Sequence, residues 1–365
     1  MQVARVRTLH FRNLATAEVE LGGEITVVHG ANGAGKTNLL EAVYFALTGH
    51  SCRGGNDRDL IAHDADAARA EVDLTDDDGT RTLLSSIARD GERRRLSDGS
   101  ALGAVTPERP PVSVFLPDRL ALVKGPPAQR RAHLDRFAAA LRPARADLRQ
   151  RFGRALAQRN ALVARVKAGL ASVDSLAAWD ENLAGEAEPL VASRAEAIEL
   201  IAAPFAAAAA EIGLAGEAAI AYRPRGPATA EELLAELTSR READLGRAYL
   251  SFGPQLDEVA LSLAGKPLRR FGSQGQQRLT LLALLFAERG ELLAAGRPAP
   301  LMLLDDVLSE LDPEHRALLL ERLSGAGQTV ITATEPEAIP DGVEWTSLAM
   351  SSGKVAAVPR LREAA

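Results

Sequence analysis

An α/β nucleotide-binding fold with an inserted, mainly helical second domain is predicted by three observations. A short apolar run, Ile25 to Val28, leads into Gly30-Ala31-Asn32-Gly33-Ala34-Gly35-Lys36-Thr37 and then into the helix-forming stretch Asn38 to Val43. Near the other end, Leu301-Met302-Leu303-Leu304 runs into Asp305-Asp306. Between the two, strand-like alternation gives way to a long segment rich in Ala, Leu, Arg and Glu with few β-branched runs. The expected boundaries are 1–115 for the first part of the nucleotide-binding domain, 116–248 for the helical insert and 249–365 for the remainder.

The glycine-rich stretch fixes the first chemistry. It reads G-x-x-x-x-G-K-[ST] between a strand and a helix, the Walker A pattern of a P-loop NTPase. Glycines let backbone N–H groups turn inward around phosphate oxygens, and the helix N-terminus adds its dipole. Gly30, Ala31, Asn32, Gly33, Ala34, Gly35, Lys36, Thr37 and Asn38 are the expected nucleotide site. Lys36 reaches the β/γ-phosphates, and the Thr37 hydroxyl ligates Mg²⁺.

Leu301 to Asp306 supplies the partner motif, Walker B. A buried parallel strand accounts for the apolar run. The acids fall at its C-terminal end, where an α/β sheet places its ligands. Asp305 is expected to hold Mg²⁺ together with Thr37, and Asp306 to act as general base on the attacking water. Lys36 and Asp306 are thus the expected catalytic groups.

Composition sets the outer bounds. At 365 residues the chain has room for one large or two moderate domains. Met1 to Arg7 reads as a strand and not as a signal peptide, and no apolar run is long enough to span a bilayer. The single cysteine, Cys52, excludes an internal disulfide framework and fits a reducing compartment, so a cytoplasmic location is expected. A formal net charge of −6 argues against a protein coated in nucleic acid, but it allows local basic patches.

Along the chain, Ala4 to Phe11 alternates as a half-buried strand does, and 70–74 and 82–87 are strands around an Asp-Asp-Asp-Gly turn. The insert shows apolar positions at helical spacing, such as Leu134, Phe137 and Leu141, or Leu148, Phe152 and Leu156. Pro126, Pro127, Pro143, Pro204 and Pro224 are expected to punctuate its helices. Its heptads are not sustained, so no long coiled coil is expected. Further strand and helix signals follow at Leu279–Phe286 (helix), Glu314–Leu323 (helix) and Gln328–Thr334 (strand).

Phe271-Gly272-Ser273-Gln274-Gly275-Gln276-Gln277-Arg278 resembles the signature motif of ABC-type ATPases in its S-x-G-Q form. The resemblance implies an ABC-type ATPase head in which Ser273, Gln274, Gly275, Gln276 and Gln277 cap the ATP held by a second copy. Ser309-Glu310-Leu311-Asp312 resembles the D-loop that crosses the same interface. Thr332-Ala333-Thr334 stands where many such proteins carry a switch histidine, and Pro117-Asp118 is the best match to the Q-loop region. Walker A and the signature lie roughly 235 residues apart, about twice what a compact transporter ATPase needs, so a whole domain lies between them. That spacing disfavours the alternative of an ATPase subunit driving a membrane transporter.

The order of motifs and the size of the insert resemble the RecF family over nearly the full chain. Phe11-Arg12-Asn13-Leu14, Gly30 to Val43, Gly49 to Ile61, Phe115 to Arg131, Gln158-Arg159-Asn160, Trp179-Asp180, Ser273 to Arg278 and Asp305 to Asp312 carry the likeness. One departure is Gly253-Pro254-Gln255-Leu256-Asp257-Glu258, where the family usually has G-P-H-R-D-D. The resemblance implies ATP and Mg²⁺ as cofactors, slow hydrolysis used as a timer, and an ATP-dependent homodimer on double-stranded DNA and ss/ds junctions. It also implies partnership with RecR and RecO in loading RecA at gaps, and no membrane partner. Arg93, Arg94, Arg95, Lys124, Arg130 and Arg131 are candidate phosphate contacts.

Overall fold

The computed structural model describes residues 1–102, 111–116, 120–247, 249–309, 311–325, 327–335 and 344–357. Alternating burial in the first ten residues builds an edge of sheet: β1 (Gln2–Phe11) pairs antiparallel with β2 (Leu14–Glu20). Next come β3 (Ile25–His29) and α1 (Lys36–Thr48). β4 (Ala67–Asp76), β5 (Gly79–Ala88), β6 (Arg93–Ser97) and β7 (Ser100–Ala101) extend the first sheet in the order β2-β1-β4-β5-β6-β7. β8 (Val112–Phe115) belongs to a second sheet.

The central segment holds α2 (Ala121–Lys124), α3 (Pro127–Leu141), α4 (Leu148–Lys167) and α5 (Leu176–Glu211). β9 (Ala218–Arg223), α6 (Ala230–Ser239) and α7 (Arg241–Arg247) follow, then β10 (Glu258–Leu263), β11 (Lys266–Pro267), α8 (Leu268–Phe271) and α9 (Gln274–Ala294). The chain ends with β12 (Leu301–Leu304), α10 (Pro313–Leu323), β13 (Thr329–Ala333), β14 (Thr346–Ser351) and β15 (Lys354–Ala357). The second sheet runs β15-β14-β3-β13-β12-β8, parallel except for the β14–β15 hairpin.

Two compact units result: 1–120 with 211–213 and 296–365, and 121–210 with 214–295. In the first, α1 lies between the two sheets. Leu39, Leu40, Val43, Phe45 and Leu47 share one core with Val6, Val72 and Ile87 of the antiparallel sheet and Val28, Leu303 and Val330 of the parallel one. Because α1 is covered on both sides, its apolar residues do not form a single stripe. β12 is buried at every position, which is why it reads as an unbroken apolar run.

The second unit is mainly helical with a small antiparallel sheet, β11-β10-β9. Three features differ from the sequence expectation. The compact units put 249–295 with the helical unit, because β10 pairs with β9 in register Glu258↔Arg223 to Leu263↔Ala218. β9 itself is a strand in a segment read as helical, with Ala218 and Ile220 buried on one face. Pro204 does not end a helix: α5 runs 36 residues with Pro189 and Pro204 inside it. A proline costs one main-chain hydrogen bond. Here Leu190, Val191, Ile201 and Phe205 are buried around the two prolines, and that burial outweighs the loss.

Candidate nucleotide-binding site

β3 delivers the chain into the glycine loop, and α1 begins at Lys36. Gly35 has φ 112, and a Cβ there would sit 2.8 Å from Asn13 Oδ1, so the loop closes only with glycine at this position. Asn13 Nδ2 donates to Gly33 O (3.2 Å), and Asn38 Nδ2 donates to Asn13 Oδ1 (2.7 Å). Arg12 grips Glu41 through Nε and Nη2 (3.0 and 3.1 Å). Ser51 Oγ also donates to Glu41 (2.6 Å), and Arg53 donates to Asn38 Oδ1 (2.8 Å) while lying 3.5 Å from the Glu41 carboxylate. Arg12, Asn13, Glu41, Ser51 and Arg53 thus brace the first two turns of α1. From the sequence they stood out only as parts of a family likeness.

β12 runs between β8 and β13 and ends at the two acids. Thr37 Oγ1 lies 2.8 and 2.9 Å from the two Asp305 oxygens, so the structure brings the two expected Mg²⁺ ligands together. A hydroxyl and a carboxylate are hard oxygen donors. They suit Mg²⁺, which takes one or two protein ligands and fills its octahedron with phosphate and water. Burial pushes the Asp305 carboxyl above its ordinary range, against the hydrogen bonds from Thr332 and Thr37 that pull it down. Burial also lowers the Lys36 ammonium, which Asp306 and Asp305 partly offset. Lys36 Nζ donates to Gly30 O (2.6 Å) and Ala31 O (3.0 Å), folded over the loop it would share with phosphate.

Thr332, fully buried on β13, ties the acids together. Its Oγ1 donates to Asp305 Oδ1 (2.8 Å) and accepts from the Asp306 N–H (2.9 Å). Asp306 adopts the left-handed conformation (φ 48), which turns the chain sharply after β12. So the place of the switch histidine is taken by a hydroxyl that holds the Asp305 carboxylate and the Asp306 main chain, while Thr334 is exposed.

Ser273, in the second unit, caps α9. It accepts from the Gln276 N–H, and Gln276 Oε1 accepts from the Ser273 N–H, a reciprocal capping box. Ser273, Gln274 and Gly275 are exposed. Gln277 departs from expectation as a nucleotide contact. It is buried and donates to Leu268 O (3.1 Å) and Gly272 O (3.0 Å), so it holds the loop in shape. In the D-loop, Ser309 Oγ donates to Asp306 O (3.1 Å), Leu311 is buried, and Asp312 caps α10. Glu310, Pro117 and Asp118 lie outside the described residues.

The six basic candidates separate by environment. Arg130 is corrected as a phosphate contact: it is buried, pairs with Glu258 (2.8 Å) and donates to Gly125 O (2.8 Å). Arg131 donates to Asp257 O (2.7 Å) and Arg93 to Asp57 (2.7 Å). Arg95 lies against Gly49 at the end of α1, its Nε and Nη2 buried without a hydrogen-bond partner among the described residues. Arg94, which pairs with exposed Glu92, and Lys124 face solvent.

A family model described as RecF/RecN/SMC N terminal domain matches residues 2–356. The protein from Anaeromyxobacter dehalogenans named DNA replication and repair protein RecF is 38% identical over 363 residues, covering 93% of this chain and 96% of that one. The chain belongs to the RecF family. The RecF of Heliobacterium modesticaldum is 35% identical over 348 residues, covering 92% of each chain. Among solved structures, the recombination mediator protein RecF with ATP superposes with a TM-score of 0.87 at 24% identity, covering 98% of this chain and 97% of that one. An SMC head bound to the C-winged helix domain of ScpA gives 0.59 at 17% identity, covering 100% and 99%. The fold is that of an ABC-type ATPase head.

Where RecF proteins usually show G-P-H-R-D-D, Asp257 is kept, Glu258 stands for the last Asp, and both are structural. Asp257 accepts from Arg194 (3.0 Å) and the Arg225 N–H (2.8 Å), and Glu258 pairs with Arg130. Gln255 turns its amide back onto Phe252 O (2.6 Å), and Leu256 is left exposed. The second half of the motif therefore serves the packing of its own unit. Gln255 and Leu256, which stand where the pattern has His and Arg, carry no charge.

Proposed function

We propose that this chain is a slow, DNA-stimulated ATPase that dimerises on ATP. In this reading it binds double-stranded DNA and ss/ds junctions and works with RecR and RecO as a cytoplasmic recombination mediator supporting RecA loading. The observation that carries the ATPase reading is the convergence of Thr37 and Asp305 at the mouth of a glycine loop braced by Asn13. Support for the rest comes from relatives named for DNA replication and repair, and from a similar fold described within the RecFOR pathway. Among the described residues, no helix is long and apolar enough to cross a membrane.

The chemistry follows from the side chains. Loop N–H groups and Lys36 hold the β- and γ-phosphates; Thr37 and Asp305 would hold Mg²⁺, which would offset phosphate charge. Asp306 accepts a proton as water attacks the γ-phosphorus, and the β–γ bridging P–O bond breaks to leave ADP and phosphate. Ser273 of a second copy donates to the γ-phosphate. Its oxygen already accepts from Gln276, but its O–H donor is not consumed by the cap. Arg94 and Lys124 are the basic candidates best placed for DNA phosphates, because their charges face solvent.

Fluorescence anisotropy with a labelled duplex tests the DNA half of the proposal. Affinity should be higher with MgATP than with ADP and should fall steeply with added salt. Equal binding with both nucleotides, or binding indifferent to salt, would contradict it.

A further inference from the structure

Asp312, the last D-loop residue, does more than cap a helix. Its Oδ1 accepts the His315 N–H (2.9 Å), and both its oxygens lie 2.8 Å from His315 Nδ1. The other ring nitrogen, Nε2, lies 3.2 Å from the Gly213 carbonyl oxygen. A neutral imidazole has one N–H and one acceptor nitrogen, whereas an imidazolium has two donors. Two oxygen acceptors, one on each side, are satisfied together only by the charged ring.

The segment 211–213 lies where α5 ends and belongs to the same compact unit as α10. His315, Leu318 and Arg322, at i, i+3 and i+7, share one face of α10. That face meets this short stretch at three points. Arg322 pairs with Glu211 (3.2 Å), a Cβ built on Gly213 would be 3.6 Å from Leu318, and the same Cβ would be 2.7 Å from His315 Nε2. Gly213 also has φ 81, so a side chain there meets both strain and a clash.

We infer that His315 is a positioning residue for ATP hydrolysis: as an imidazolium it clasps the D-loop carboxylate of Asp312 to the Gly213 carbonyl, and losing its proton opens one side of that clasp and loosens the D-loop. This rests on the reading of the chain as an ATP-driven dimer, in which the D-loop crosses between copies. The charged groups around the ring are Asp312 and Glu314 at the start of α10, Arg316 and Arg322 further along it, and Glu211 from the facing segment. Arg316 turns its guanidinium to Leu308 O (2.9 Å), the Arg322 charge is offset by Glu211, and the charges that act on the ring are those of Asp312 and Glu314. The His315 pKa is raised, first by its hydrogen bond to Asp312 and then, against partial burial, by the Gly213 carbonyl and the charges of Asp312 and Glu314. The sign follows: the clasp is complete below the ordinary histidine value and is lost as pH rises through the raised one.

The test is ATP turnover per molecule against protein concentration, from about pH 6 to about pH 8.5, in a range that brackets the ordinary histidine pKa. The parent and the His315→Gln and Gly213→Ala variants are compared, each with its monomer affinity for MgATP measured in dilute solution. In the parent, the concentration giving half-maximal turnover should rise ~5-fold or more across that range, the scale of an ordinary coupling between sites. Both variants should lack that pH limb and resemble the parent at high pH, with MgATP affinity retained. Concentration dependence with no pH limb in the parent, or an unchanged limb in both variants, overturns the role of His315 and leaves the dimer reading standing. Turnover per molecule that is flat with concentration at every pH overturns both.

Discussion

Replacing Glu41 by glutamine isolates the brace behind the glycine loop. The Glu41 carboxylate is fully buried on α1, accepts two hydrogen bonds from Arg12 and one from Ser51, and lies 3.5 Å from Arg53. Glutamine keeps one acceptor oxygen but turns an NH₂ group toward a guanidinium and removes the charge both arginines face. Breaking a buried pair costs about 3–5 kcal/mol. Arg12 and Arg53 retain 23% and 29% of their side-chain exposure and can rehydrate in part, which lowers the expected cost to ~2–3 kcal/mol. For a unit of this size each kcal/mol corresponds to about 2–4 °C, so the midpoint should fall by ~4–12 °C. Thermal unfolding followed by circular dichroism, with and without MgATP, reads both the loss and the shrinking stabilisation by ligand. A midpoint within about 2 °C of the parent would refute the idea that this carboxylate holds α1 in place.

Asp306→Asn should keep MgATP binding while turnover drops by ~10²–10⁴, as expected for loss of a general base; parent-like turnover would remove Asp306 from that role. Arg159→Met should destabilise the helical unit by about 3–5 kcal/mol in urea, because Arg159 is fully buried between Asp180 (2.6 Å) and Asp244 (2.9 Å). Pairing it with Asp244→Leu should recover much of that loss. For DNA, Lys124→Ala and Arg94→Ala should each reduce the salt slope of binding by about one. Arg130→Ala should instead lower stability, through its pair with Glu258; a matching change in salt slope without a stability loss would reverse that assignment.

What was legible in the sequence was what the covalent chain carries locally. The glycine loop, the apolar run before Asp305 and the Ser273 cap each lie within a few residues, so spacing alone announces them. The helper groups did not show, because pairing between distant strands places them. Thr332 stood out only by its place in the order of motifs; its contact with Asp305 comes from the β12–β13 register, Leu304 opposite Ile331. Arg12, in the turn after β1, and Glu41, on α1, meet although 29 residues apart. Charge type is visible in a sequence and burial is not, so Arg130 and Lys124 looked alike although only one faces water. Pro204 misled for a related reason: its local preference is to end a helix, and the burial of Ile201 and Phe205 overrides it.

The most direct test of the ATP-sandwich account is ATP turnover per molecule against protein concentration, with and without duplex DNA, for the parent and for Ser273→Arg. The account predicts that parent turnover climbs with concentration and rises further with DNA. Ser273→Arg should bind MgATP yet stay at the dilute rate, because the blocked face belongs to the second copy's nucleotide. Parent turnover that is flat with concentration and indifferent to DNA would contradict it.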